Sequence, residues 1–283
     1  MTTLADLVNR LETAPAGSAE AGALPPGRLI DHTYQGTWPE PLAWLADTVA
    51  DGQEGAARGW TGSMGLRPVL MDTEGRGGGL EDWDLMSGEV SYPEDMDPEE
   101  FLAHSWRRIR EEGPEGSTSA VRRAGAAGRD GLFAPFGPRW PGLAPPARAV
   151  ADPEAHAARV AGALVCGDAA LREPRLALVP ADRAADVPFA IGWAGALDHE
   201  DDAGVLSAVL RSWEERFAAR LVALSANRMV LSVAAPPDTR ETAEAVAAEH
   251  LAFCPDVLTR AGDLRTHAET GVSGRPTWEF RWE

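Results

Sequence analysis

The sequence predicts an α+β protein with a mixed or antiparallel sheet and packed helices, and three observations carry that prediction. Segments with apolar residues at helical spacing, residues 98–112, 205–217 and 238–254, are separated by short β-rich runs. The ending TWEFRWE alternates Trp278, Phe280 and Trp282 with charged residues, the period of a half-buried strand. From residue 176 the order reads strand, strand, helix, strand, strand, helix, short helix, strand. The nearest simple template for that order is a ferredoxin-like βαββαβ arrangement.

Taken in order, residues 1–13 form a short helix and 26–30, PGRLI, a strand. Residues 39–49, PEPLAWLADTV, read as a helix presenting Leu42, Leu45 and Val49, with Trp38 and Trp44 as packing anchors. LRPVLM at 66–71 is a strand whose Pro68 suggests an edge. The EGRGGG loop behind it lacks the order, the lysine and the following helix of a phosphate loop, so it reads as a connection. Residues 81–90 read as another strand. Asp97 then caps a helix with Pro98 at its first position, and Phe101, Leu102, Ser105 and Ile109 face inward while His104 stays at the surface.

Residues 113–131 lose periodicity and read as a linker, and the Pro- and aromatic-rich 132–146 reads as a non-helical packing segment. The expected organisation is an N-terminal α+β region, 1–112, a connecting stretch, 113–150, and a C-terminal α+β domain, 151–283. In the last, 153–164 is a helix, 176–179 and 189–193 are strands, and 205–217 is a helix with Leu206, Val209, Leu210, Trp213 and Phe217 on one side. Residues 221–224 and 229–233 form a hairpin. Asp238 caps the helix that follows, with Glu241 completing a capping box, and Pro255 ends it. A short helical piece near 261–269 precedes the final strand.

The formal charge of −18 argues against nucleic acid and against an anionic membrane face. No apolar run is long enough to span a membrane, and the first residues pattern as a helix rather than a signal peptide. Two cysteines make no disulfide framework, which points to the cytoplasm. All 26 basic residues are arginine, so neither a lysine Schiff base nor a Walker-type phosphate loop can be built. No cofactor fingerprint or metal-ligand spacing is present, so neither a cofactor nor a metal is expected.

Candidate site residues cluster near the helix at 238–254. His250 and Cys254 lie one turn apart on its inward face, where an imidazole could activate a thiol, or where a buried histidine could sit beside an inert cysteine. Asp256 follows at the Cys-Pro-Asp corner. Trp193, His199, Trp213 and Trp282 either line a pocket with His250 or belong to the core. The acidic run at 198–202, DHEDD, either holds a hard cation or caps the helix behind it.

The runs VLRSWEERFAARLVAL (209–224), LSVAAPP (231–237), AAEHLAFCPD (247–256) and WEFRWE (278–283) are similar, in order and spacing, to a bacterial family common in actinomycetes, domain of unknown function 4253. GLRPVLMD (65–72) and LFAPFGPRWPGLAPP (132–146) resemble the N-terminal half that family members often carry. The resemblance implies a fold unit and a bacterial cytoplasmic setting, and it brings no established activity. With the charge and the lack of a reaction motif, the expected role is a soluble, non-catalytic protein-binding module of immunity or accessory type, engaging a basic protein partner. The alternative is a small-molecule enzyme with a site between the His199 loop and the His250 helix.

Overall fold

The computed structural model describes residues 4–13, 25–51, 65–73, 78–85, 91–111, 131–167, 171–196, 199–200 and 202–282. Its helices are α1 (Leu4–Glu12), α2 (Pro98–Glu111), α3 (Pro153–Gly167), α4 (Val187–Ile191), α5 (Ala203–Phe217), α6 (Arg240–Phe253), α7 (Val257–Ala261) and α8 (Leu264–His267). The last runs into a π-helical turn, Ala268–Val272. The strands are β1 (Gly27–Ile30), β2 (His32–Thr33), β3 (Gly36–Thr37), β4 (Ala43–Ala46), β5 (Leu66–Asp72), β6 (Pro174–Pro180), β7 (Ala219–Leu224), β8 (Arg228–Val233) and β9 (Thr277–Arg281).

Seven strands form one mixed sheet in the order β1-β4-β6-β5-β7-β8-β9, antiparallel except for the parallel β5–β7 pair, and β2 pairs with β3 separately. The protein is therefore α+β, as its alternating patterns predict. Side chains alternate across the sheet as strand geometry requires. Val69 and Met71 of β5 and Met229, Leu231 and Val233 of β8 face the core built with α2, α5 and α6. Leu70 and Val230 face the opposite side, against Ala157, Val160 and Leu164 of α3. A register shift between Leu221 and Ala223 lets β7 keep Leu221 and Leu224 on the first side.

The sheet departs from the βαββαβ template. β6 and β7 are not neighbours, because β5 lies between them. Residues 187–191, which overlap the expected strand at 189–193, are helical: Pro188 sits in the first turn and Gly192 closes the helix at φ 63°. The expected helix at 39–49 is instead β4, all four of whose residues are buried. Its neighbours β1 and β6 flank it and both sheet faces are covered, so the apolar run lacks the alternation that marks a strand. Pro68 does not mark an edge: β5 is internal, but its ladder to β7 involves only Leu70 and Met71, leaving that side of Pro68 unladdered. Of the expected strand at 81–90, Leu80–Asp82 is a 3₁₀ turn and Leu85 makes one bridge to Trp193. Residues 86–90, most of the 74–79 loop and the 113–130 linker lie outside the described residues.

Local signals held where they were strong. Asp97 accepts from the amides of Glu99 and Glu100 at the start of α2, at 2.8 and 3.2 Å. Residues 132–146 are not a helix of any length, and they lie on the helical layer: Phe133 is buried edge-on to Trp106, and the amide of Ala147 bonds to the carbonyl of Arg216. Among the described residues no helix is long and apolar enough to cross a membrane.

Candidate functional site

Helix α6 organises this side of the molecule. Its cap is Thr239 rather than Asp238, with Thr239 Oγ1 accepting from the amide of Thr242 at 3.2 Å. His250 and Cys254, predicted to face inward, are buried, as are Ala243, Val246, Ala247 and Leu251 at the same helical spacing. Glu249, next in the chain to His250, is buried completely as well. Such a carboxylate is tolerated only when its oxygens are filled. Arg216 of α5 supplies two bonds, Nη1 to Oε1 at 2.8 Å and Nη2 to Oε2 at 2.6 Å. The amide of Ala144 and the indole of Trp213 add one each at 2.8 Å. Glu249 is thus a structural clasp joining α5, α6 and the 132–146 segment.

His250, the next residue, sits among aromatic rings. Its ring centroid lies 5.1 Å from Trp213, 4.6 Å from Trp278 and 4.8 Å from Phe280, each in an edge-to-face arrangement. Its Nδ1 is 3.1 Å from Nε2 of His267, and its Nε2 is buried without a partner among the described residues. Burial, then the facing His267 and Arg216, holds His250 well below the usual histidine range. Burial, then Arg260, brings His267 down to about 4. Both imidazoles are therefore neutral at neutral pH, and one N–H is shared between them.

The π-helical turn makes this pairing possible. At Gly271 a Cβ would stand 2.8 Å from the His267 ring, so only glycine lets the turn close over it. The two rings, with α7, the turn and β9, border a cavity of about 390 Å³. Val257 and Ala261 contribute apolar wall, and Arg260, Arg275 and Glu279 supply charge. Burial works against the charge on Glu279, but Arg228 and Arg260 outweigh it and hold its carboxyl below the usual range. Those contacts are 3.0 Å from Arg228 Nη2 to Oε2 and 2.9 Å from Arg260 Nη1 to Oε1.

Only His250 of the sequence-predicted site residues borders this cavity. Trp213 is its fully buried neighbour and spends its indole N–H on Glu249. Trp193 donates to the carbonyl of Ser225 at 2.8 Å and meets Trp282 edge-on at 5.3 Å, so both are core. His199 is bonded at both nitrogens. Arg108 can only donate, so Nδ1 accepts at 3.0 Å and Nε2–H donates to the carbonyl of Ala252 at 3.0 Å. Burial, then Arg108, brings it down to about 4. Cys254 is fully buried with its thiol pushed up by burial and by Asp256, and its Sγ faces the carbonyl of Arg281 at 3.5 Å. Asp256 precedes α7 and makes no side-chain cap bond there. Asp202 of the acidic run caps α5, accepting from the amide of Gly204 at 2.8 Å and from that of Ser91 at 3.0 Å, while Asp198 and Asp201 lie outside the described residues. Among the described residues no cluster of three or more potential metal ligands occurs.

Residues 175–283 match the model of a family described as domain of unknown function (DUF4253). This segment is a DUF4253 domain. No curated protein and no solved structure matches the chain.

The DUF4253 domain contains every residue bordering the cavity, whereas β5, which separates β6 from β7 in the sheet, lies outside the matched segment. Sequence reasoning missed His267, Gly271, Arg275 and the clasp at Glu249. His267 lies 17 positions from His250, so no local motif joins them. The pair exists only because the α8 turn folds back onto α6. Glu249 carried a weak signal in its position beside the apolar face, but its partner Arg216 lies on another helix.

Proposed function

We propose that the DUF4253 domain is a non-catalytic binding module whose ligand occupies the cavity over His250 and His267. The observation that carries this reading is a pair of neutral imidazoles, hydrogen-bonded to each other, set in the wall of a cavity of about 390 Å³. That volume is at the lower end of the roughly 300–1,000 Å³ common to ligand pockets, enough for one small metabolite. Binding is favoured over turnover by the state of the groups that could react. The Cys254 thiol is buried and held protonated, and His199 is bonded on both sides.

The test is a thermal-shift screen of the full chain against a small-metabolite panel, followed by recovery of each hit after overnight incubation. The expected result is one or more stabilising compounds recovered unchanged. Chemical conversion of a hit would replace this reading with the enzymatic one. The free thiols, Cys166 exposed and Cys254 buried, support a reducing, cytoplasmic setting.

A second reading is favoured by one observation, the net charge of −18. In it, the acidic surface engages a basic protein partner in an immunity or accessory role. Capture of such a partner from the native host, released as salt is raised, supports it; capture that is indifferent to salt contradicts it.

A further inference from the structure

The charges at the cavity specify more than its size. Three charged side chains border it: Arg260, Arg275 and Glu279. Glu279 is spoken for twice, by Arg228 at 3.0 Å and by Arg260 at 2.9 Å. Arg275, exposed at the rim in the loop before β9, has no side-chain partner among the described residues. The border therefore carries two cations against one anion, with one guanidinium unspent, in a molecule whose net charge is −18. Local charge here is opposite in sign to the molecule's total. Such a site repels cations locally and offers a planar fork to an oxyanion, which guanidinium binds in a bidentate manner.

The histidine pair fits the same chemistry. Two neutral imidazoles joined by one hydrogen bond have a second N–H, which sits at one outer end or the other. When His250 Nδ1–H donates to His267 Nε2, the remaining N–H is on His267 Nδ1, which makes no other hydrogen bond among the described residues. In the opposite tautomer that N–H lies on the buried Nε2 of His250. An anion beside His267 selects the first arrangement, because it needs a donor. Thr277, also on the border, can add a hydroxyl donor.

We infer that the cavity binds a small molecule through an oxyanion group, a carboxylate or a phosphate, with Arg275 as its principal anchor and His267 as a neutral hydrogen-bond donor. This assignment rests on the binding reading above and names the class of ligand for that site.

Titration calorimetry on the full chain tests it, using inorganic phosphate, acetate and panels of small phosphate monoesters and carboxylates, each beside its neutral alcohol or amide. Ionic strength is held constant with chloride. The expected result is saturable binding in one oxyanion series, absent from its neutral counterparts and from chloride, and weakened at least tenfold by Arg275→Gln. Arg265→Gln, at an exposed arginine on α8 that does not border the cavity, should leave affinity unchanged. The series that binds distinguishes phosphate from carboxylate. Because Arg275 is exposed, its loss leaves the fold intact, which the melting temperature of the variant verifies.

Binding of neutral compounds with affinity indifferent to Arg275→Gln would overturn the oxyanion assignment and leave the binding module standing. If none of the compounds, charged or neutral, bound, both would fall. Equal weakening by Arg265→Gln and Arg275→Gln would reduce the effect to general electrostatics and overturn the anchor.

Discussion

At the scale of single residues, the chemistry of this protein is decided by how buried polar groups are satisfied. Glu249 survives complete burial because four donors converge on it from Arg216, Trp213 and Ala144. Removing one side of such a pair leaves the other charge stranded, so Glu249→Ala should lower unfolding free energy by about 3–5 kcal/mol in urea titrations. The two cysteines differ in the same terms. Cys166 should react with an alkylating reagent in the native protein, and Cys254 only at the rate of unfolding, as quantitative labelling with and without denaturant would show.

The buried histidines make stability depend on pH with a definite sign. In the unfolded chain they take up protons near the ordinary value of about 6.5, whereas His199 and His267 in the fold do so only near 4. Between those limits the unfolded state binds more protons, so stability falls as pH drops from 6.5 towards 4 and gains nothing from these groups above 6.5. Each histidine contributes a slope of up to about 1.4 kcal/mol per pH unit in that window. His199→Gln should flatten the measured dependence by that amount; an unchanged slope would contradict the assignment.

At the scale of elements, legibility followed locality. The start of α2 was legible because Asp97 and Pro98 act within one turn. The end of α6 was legible because Pro255 forces Cys254 into extended geometry, φ −141° and ψ 91°. The strand β9 was legible from Trp278 and Phe280, whose spacing matches their burial. Residues 43–46 and 187–191 were misread because a short, largely buried segment shows no period, and its neighbours decide its conformation. The candidate site was half legible. His250 declares itself by position on α6, but His267 reaches it through a tertiary fold-back that no spacing encodes.

That fold-back depends on the π-helical turn. Gly271→Ala would place a methyl group 2.8 Å from the His267 ring. The expected cost is about 1–3 kcal/mol, with a displaced His267 resonance and a weakened ligand response. An unperturbed His267 resonance in that variant would show that the turn does not hold the ring.

At the scale of the whole molecule, strands from both sides of residues 113–150 share one sheet, with β5 paired to β6 over seven residues and to β7 in parallel. The core on the α5–α6 side draws on both as well, from Leu42 and Trp106 to Trp278. A fragment covering 151–283 would expose the β6 and β7 edges that β5 occupies, so its amide spectrum should be poorly dispersed while the full chain unfolds in one transition. A well-dispersed fragment spectrum would show that the domain stands without β5.

The central claim is that His250 and His267 form the neutral, ligand-responsive wall of a binding cavity. The most direct measurement is the imidazole ¹⁵N spectrum of the full chain at neutral pH, before and after addition of a compound that stabilises it. The account predicts that both rings are neutral without ligand, that ligand moves the His250 and His267 resonances together, and that His199 stays fixed. A stabilising ligand that left both resonances unmoved, or a His267 that titrated near its ordinary value, would contradict it.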